Sequence, residues 1–178
     1  MFAGPVLWPR TSAASGALTY VRRENDTLRG SRVSDRFADC RPARPSPTAS
    51  GTCDSAAPSD EFIHQHPGGI LALSSNGSDP RTAIVWASAA SVSGGGGRLM
   101  AFRAVPDETD PNRIEEPCSS DDYAAGGLDT GSGFVPPTIS RGRVYVPTRS
   151  GRVEVSGPVP PRECRSDDPS QAPPTRRM

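Results

Sequence analysis

Three observations predict an all-β chain. Residues 142–156 alternate apolar and polar side chains: Gly142-Arg143-Val144-Tyr145-Val146 runs out, Arg149-Ser150-Gly151 turns, and Val153-Glu154-Val155 runs back. Such a period of two, bounded by glycines, marks antiparallel strands with one buried face. Similar short runs recur along the 178 residues in pairs around turn-forming residues. No stretch carries the 3.6-residue apolar period of an amphipathic helix.

The strand candidates follow in order. Pro5-Val6-Leu7-Trp8 is the first and Ala17-Leu18-Thr19-Tyr20-Val21 the second. Glu24-Asn25-Asp26 favours a tight turn through side-chain bonds to the backbone, with Thr27 to Val33 returning. The inward face of that return is thin, since only Leu28 and Val33 are large and apolar. Prolines at 42, 45, 47 and 58 then remove ladder donors, so about 34–67 reads as a long irregular insert. Order resumes at Gly68-Gly69-Ile70-Leu71-Ala72-Leu73. Asn76-Gly77 signals a turn, in a connection longer than a two-residue loop, before Ala83-Ile84-Val85-Trp86-Ala87 returns. Gly94 to Gly97 link flexibly into Arg98 to Ala104; a second irregular region runs from Pro106 to Gly133, and the 142–156 hairpin follows. Six prolines after Gly157 and no apolar period predict a disordered tail over 158–178.

Composition narrows the function classes. Leu, Ile, Val and Phe make up about 16% of the chain, below the roughly 20% at which folding of the whole length becomes doubtful. The 20 basic and 20 acidic residues cancel, so no net repulsion holds the chain open. Every basic residue is arginine, interleaved with carboxylates rather than gathered in a stripe, which argues against nucleic acid. No apolar run approaches the roughly 18 residues of a membrane-spanning helix. The first residues, MFAGPVLWPRTSAASGAL, lack the charged start and apolar stretch of a secretion signal. Cys40, Cys53, Cys118 and Cys164 allow three pairings; with no such signal, four unpaired thiols is the preferred reading.

Eight strands in pairs amount to about two four-stranded blades of a β-propeller, whereas closed rings use about four to eight. Two blades alone leave apolar faces and open edges. The expected fold is therefore a partial β-propeller over 4–157 with long irregular loops.

The order of several phrases resembles the C-terminal portion of bacterial quinoprotein-type (pyrroloquinoline-quinone-like) β-propeller repeat proteins. Gly4-Pro5-Val6-Leu7-Trp8 and Glu24-Asn25-Asp26-Thr27-Leu28 match two of that family's phrases. Gly68 to Gly77, Ile84 to Ala87, Gly97 to Ala104 and Phe134 to Thr148 match four more, in register. Relative to the family pattern, Arg103 replaces an aspartate, Glu115-Glu116 a Leu-Trp docking pair, and Arg22-Arg23 a small or aromatic pair. These departures put charge where the family buries side chains, and the chain starts part-way through the ring. The family is often secreted or periplasmic.

The resemblance implies quinone and calcium chemistry, yet the residues do not provide for it. The adjacent-cysteine pair of many such enzymes is missing, and Trp86, mid-strand among apolar residues, reads as core rather than as a cofactor floor. Asp107, Glu108 and Asp110 lack an EF-hand's spacing. Glu115-Glu116 and Asp121-Asp122 read as solvated carboxylates, and Gly94 to Gly97 lacks a phosphate loop's lysine. His64 and His66 are the candidate metal ligands: on a strand, His-x-His puts both imidazoles on one side, but no third ligand is indicated and a solvated loop is the commoner case. No catalytic residue, cofactor site or cofactor is assigned. The expectation is a non-catalytic propeller fragment that binds a protein partner, or itself, through open blade edges. The alternatives are a fragment of a quinone-dependent dehydrogenase and a non-functional remnant of a longer propeller gene.

Overall fold

The computed structural model describes residues 4–10, 16–22, 28–33, 69–89, 96–105, 114, 118–120, 128–129 and 135–157. Among them the protein is all-β, with ten strands and one short 3-10 turn. The strands are β1 (Val6–Trp8), β2 (Ala17–Arg22), β3 (Leu28–Val33), β4 (Ile70–Ser74), β5 (Ile84–Ala89), β6 (Arg98–Arg103), β7 (Cys118–Ser119), β8 (Thr138–Ser140), β9 (Arg143–Pro147) and β10 (Val153–Ser156). They form three antiparallel sheets, β1-β2-β3, β4-β5-β6-β7 and β8-β9-β10, each a meander of neighbours in sequence. The two strands beyond the expected eight are β7 and β8. β7 belongs to the span 106–133 that reads as irregular, because its polar Cys-Ser pair carries no apolar alternation.

Local chemistry explains the turns. Between β4 and β5, Gly77 takes a φ of +59°, the left-handed region that glycine enters without a Cβ penalty. Asp79 Oδ1 then accepts from the Arg81 N–H at 3.0 Å and caps the turn Pro80–Thr82. The exposed Arg81 guanidinium also holds the Asp79 carboxyl below its ordinary range. In the β9–β10 hairpin the Thr148 N–H donates to the Arg152 carbonyl at 2.9 Å, and Gly151 has a φ of +78°. Val146 pairs with Glu154 and Tyr145 with Val155, so the 142–156 hairpin forms as its alternation predicts.

The middle sheet is covered on both faces, which accounts for its small and apolar side chains. Leu71, Val85, Ala87, Met100 and Phe102 pack on one side against Trp8, Tyr20 and Leu28 of the first sheet. Registers Val85↔Phe102 and Ala87↔Met100 place these residues on one face. On the other side Leu99 and Trp86 pack against Ile139, Val144 and Val146 of the third sheet, together with Leu128. Burying such side chains contributes roughly 1.5–3 kcal/mol each, the dominant favourable term here. The order is first sheet, middle sheet, third sheet.

The thin face of β3 has a physical reason. Leu28 and Gly30 face inward, whereas Val33, five residues after Leu28, lies on the opposite face and is exposed. A Cβ on Gly30 would meet Ile114 Cδ1 at 3.0 Å and the Tyr20 ring at 3.1 Å. Any larger side chain there would press on the tyrosine ring and Ile114, which would have to give by a few tenths of an ångström. Ile114, from the span read as irregular, is itself buried.

Two departures from the family pattern resolve differently from expectation. Arg103 is exposed, so its charge stays in solvent. Arg22 is fully buried, and one of its nitrogens donates to Met100 Sδ at 3.1 Å. Its guanidinium also lies 5.9 Å from the Phe102 ring centroid, within the roughly 6 Å of a cation–π contact. A delocalised, weakly hydrated guanidinium suits this soft, aromatic setting better than an ammonium would. The expectation of four free thiols is also overturned: Cys118 is disulfide-bonded. The insert at 34–67 and the tail at 158–178 lie outside the described residues.

Candidate functional site

The strands that face one another follow a rule visible only once their faces are known. The second strand of each sheet carries an aromatic residue between two small or β-branched ones: Thr19-Tyr20-Val21 on β2, Val85-Trp86-Ala87 on β5 and Val144-Tyr145-Val146 on β9. Tyr20 points from the first sheet into the middle one, with its hydroxyl donating to the Ala104 carbonyl. Trp86 points from the middle sheet to the third and donates from its indole to Ser74 Oγ at 2.9 Å. The residues flanking each aromatic face the other way. Val85 and Ala87 meet the first sheet, and Val144 and Val146 meet the middle one.

By the same alternation Tyr145 points away from the middle sheet, so the outer face of the third sheet has the character of a contact surface. Tyr145 pairs with Val155 on one side and Thr138 on the other. Val153 pairs with Pro147 on the same face. Val153 and Val155 are 60% and 50% exposed. Glu154, between them, faces inward instead and accepts from the Asp129 N–H at 2.8 Å. Asp129 in turn accepts from the Gly97 N–H through its carbonyl at 3.3 Å, and Ser150 Oγ donates to its carboxylate. These bonds fix the hairpin to the middle sheet and so fix which face β10 turns outward.

The opposite end of the stack is less open. On the first sheet Leu7, paired with Thr19, is 55% exposed, and Val33 is also exposed. Thr19, Val21, Arg29, Ser31 and Val33 share that outer face with Leu7, and Ser31, opposite Thr19 at its centre, is buried. Single exposed apolar residues are ordinary, but apolar residues grouped on one open end face, as on the third sheet, are not.

The interior side chains nearest to chemistry are structural. Burial raises the Tyr20 hydroxyl above its ordinary value of 10.0, with a smaller opposing pull from Arg10. Trp8 is buried, donates to the Gly77 carbonyl at 3.1 Å and carries the Arg10 guanidinium 5.6 Å from its ring centroid. Trp86 is partly buried and packs against the core between the middle and third sheets. Gly97, at the end of the glycine run, bridges to Leu128 as a strand edge.

His64, His66, Asp107, Glu108, Asp110, Glu115-Glu116 and Asp121-Asp122 lie outside the described residues. Among the described residues no group of three or more histidine, cysteine, aspartate or glutamate side chains is placed to hold a metal ion. No helix among them is long and apolar enough to cross a membrane. What sequence reasoning missed is the orientation of Val153 and Val155, which an alternating pattern leaves open between two faces. The repeated small–aromatic–small triplet was the signal that could have found it. Comparison with family models, with curated proteins and with solved structures finds no match.

Proposed function

We propose that the protein is a non-catalytic interaction module of β-propeller type, whose stacked meander sheets present an apolar end face, or an open blade edge, to a protein partner. The observation that carries this reading is the outward face of the third sheet, where Val153 and Val155 stand exposed beside Tyr145. In the two interfaces inside the chain, the equivalent faces are covered by another sheet. Blade-on-blade packing is the propeller's way of burying such faces, and meander connectivity with an aromatic on each second strand agrees with it. The quinoprotein-like phrase order is a second support, drawn from the sequence. Desolvating this face supplies binding energy at roughly 25 cal/mol per Å² of apolar area, before the cost of association.

A photo-crosslinking residue placed at Val153 tests this in the native cell, with one at exposed Arg149 as control. The reading expects a discrete adduct at 153 that disappears when Val155 becomes aspartate, and none at 149. No adduct at 153, or equal adducts at both positions, would refute it.

A further inference from the structure

We infer that the partner of the third sheet's outer face is acidic: a protein surface with an apolar centre and a border of carboxylates that meets Arg143 and Arg141. The inference rests on the interaction reading above and commits it to one chemistry of partner.

Charge complementarity carries it. Over the whole chain the 20 basic and 20 acidic residues balance, yet no Asp or Glu occurs between Asp129 and Glu154, a stretch with arginines at 141, 143, 149 and 152. All four arginines are exposed, and among the described residues none of their guanidinium groups has a hydrogen bond or an ion pair. Arg10, Arg22, Arg29, Arg81, Arg98 and Arg103, on and around the other two sheets, each engage a partner. Uncompensated positive charge therefore collects on the third sheet. The carboxylates that flank the stretch are already engaged: Glu154 faces inward onto the Asp129 N–H, and the Asp129 carboxylate accepts from Ser150 Oγ.

Position decides which arginines meet the partner. Val144 and Val146 turn toward the middle sheet, so Arg143, like Tyr145, lies on the outer face, opposite neutral Ser140. Arg141 stands in the turn that leads into it. Tyr145, Val153 and Val155 form the apolar centre beside this pair. Arg149 and Arg152 border the other turn of β9, about 14 Å along at roughly 3.4 Å per residue. That exceeds the roughly 8 Å over which exposed charges act at physiological salt.

An apolar centre with a charged rim is the layout of a protein interface, in which arginine is enriched. A carboxylate laid against Arg143 meets a planar fork of donors that matches it in geometry. A nucleic acid would bring phosphates to the rim but only polar backbone to the valines. Surface insertion into lipid favours larger apolar side chains than valine.

Fluorescence anisotropy with the purified full-length chain at about 0.15 M salt tests this. The probes are a labelled peptide of alternating valine and threonine with glutamates at both ends, the same peptide with lysines at both ends, and a single-stranded oligonucleotide. The glutamate peptide is expected to bind about tenfold or more tighter than the lysine peptide. R143E should weaken it about fivefold or more and R141E in the same direction, whereas R149E, an equal change of charge away from the face, should cost less than about twofold. V155D should also weaken it, because a carboxylate then sits in the apolar centre. All four substitutions are at exposed positions, and unchanged circular dichroism verifies the fold. Equal binding of the two peptides, binding of neither, R149E as costly as R143E, or tighter binding of the oligonucleotide overturns the acidic partner. The crosslink at Val153 would then still uphold the interaction reading, and its absence would remove that reading itself.

Discussion

Tyr20→Phe removes one oxygen atom and little else, which makes it a sensitive probe of how the first two sheets are joined. The Tyr20 hydroxyl donates to the Ala104 carbonyl across the buried junction. The Ala104 N–H is already spent on the Ala83 carbonyl at 3.0 Å, so the residue's backbone bonding rests on both contacts. Phenylalanine keeps the ring beside Gly30 and Ile114 but leaves that carbonyl without the hydroxyl, a loss of about 1–3 kcal/mol. Taking about 2 kcal/mol with a urea m-value near 2 kcal/mol per molar, the unfolding midpoint falls by about 1 M. pH supplies a second, independent readout. Burial raises the folded-state phenol above 10.0, so in the folded protein it holds its proton where the unfolded chain has lost it. Its contribution is fully present below pH 10 and is lost as pH climbs toward the folded-state value, by up to about 1.4 kcal/mol per pH unit. The advantage of the wild-type chain over Y20F should therefore narrow between about pH 9 and about pH 11. Urea titrations monitored by circular dichroism at both pH values measure it. An unchanged midpoint in Y20F, or a gap that does not narrow with pH, would refute the buried donor.

Two further outcomes test neighbouring packing. Gly69→Ala should destabilise by about 1–3 kcal/mol through overpacking, because the new Cβ would lie 2.5 Å from Arg22 Cδ in a fully buried side chain; thermal unfolding reports it, and Gly4→Ala, with nothing within 4 Å, serves as the neutral control. Cys118→Ser should lower stability by about 2–5 kcal/mol and loosen β7, detected as faster hydrogen exchange at the Leu99 N–H, which donates to Ser120 Oγ at 3.1 Å.

Much of the fold was legible because it is local. Gly77 and Gly151 mark turns wherever the sheets go, since their positive φ values are a property of the backbone alone. The hairpin of β9 and β10 declared itself by alternation, and Trp86 by its apolar neighbours. β7 stayed hidden because a two-residue strand of Cys118 and Ser119 pairs with β6 through backbone bonds that leave no trace in side-chain pattern. β8 was hidden similarly by its short Thr-Ile-Ser run behind two prolines. The candidate face was half legible: the valines of β10 were plain, their direction was not.

The all-β class, the turns and eight of the ten strands were determined by the sequence itself, because period, glycine and proline act over a few residues. Only the tertiary structure decided which side of each strand is inside. Val153-Glu154-Val155 reads equally well with its valines in or out, and the Glu154 bond to Asp129 selects the outward choice. Arg22 likewise reads as a charge set where the resembled family buries a side chain, until Met100 and Phe102, some 80 residues away, supply the setting that admits it. A face is a relation between distant segments, so it comes into being when the sheets meet.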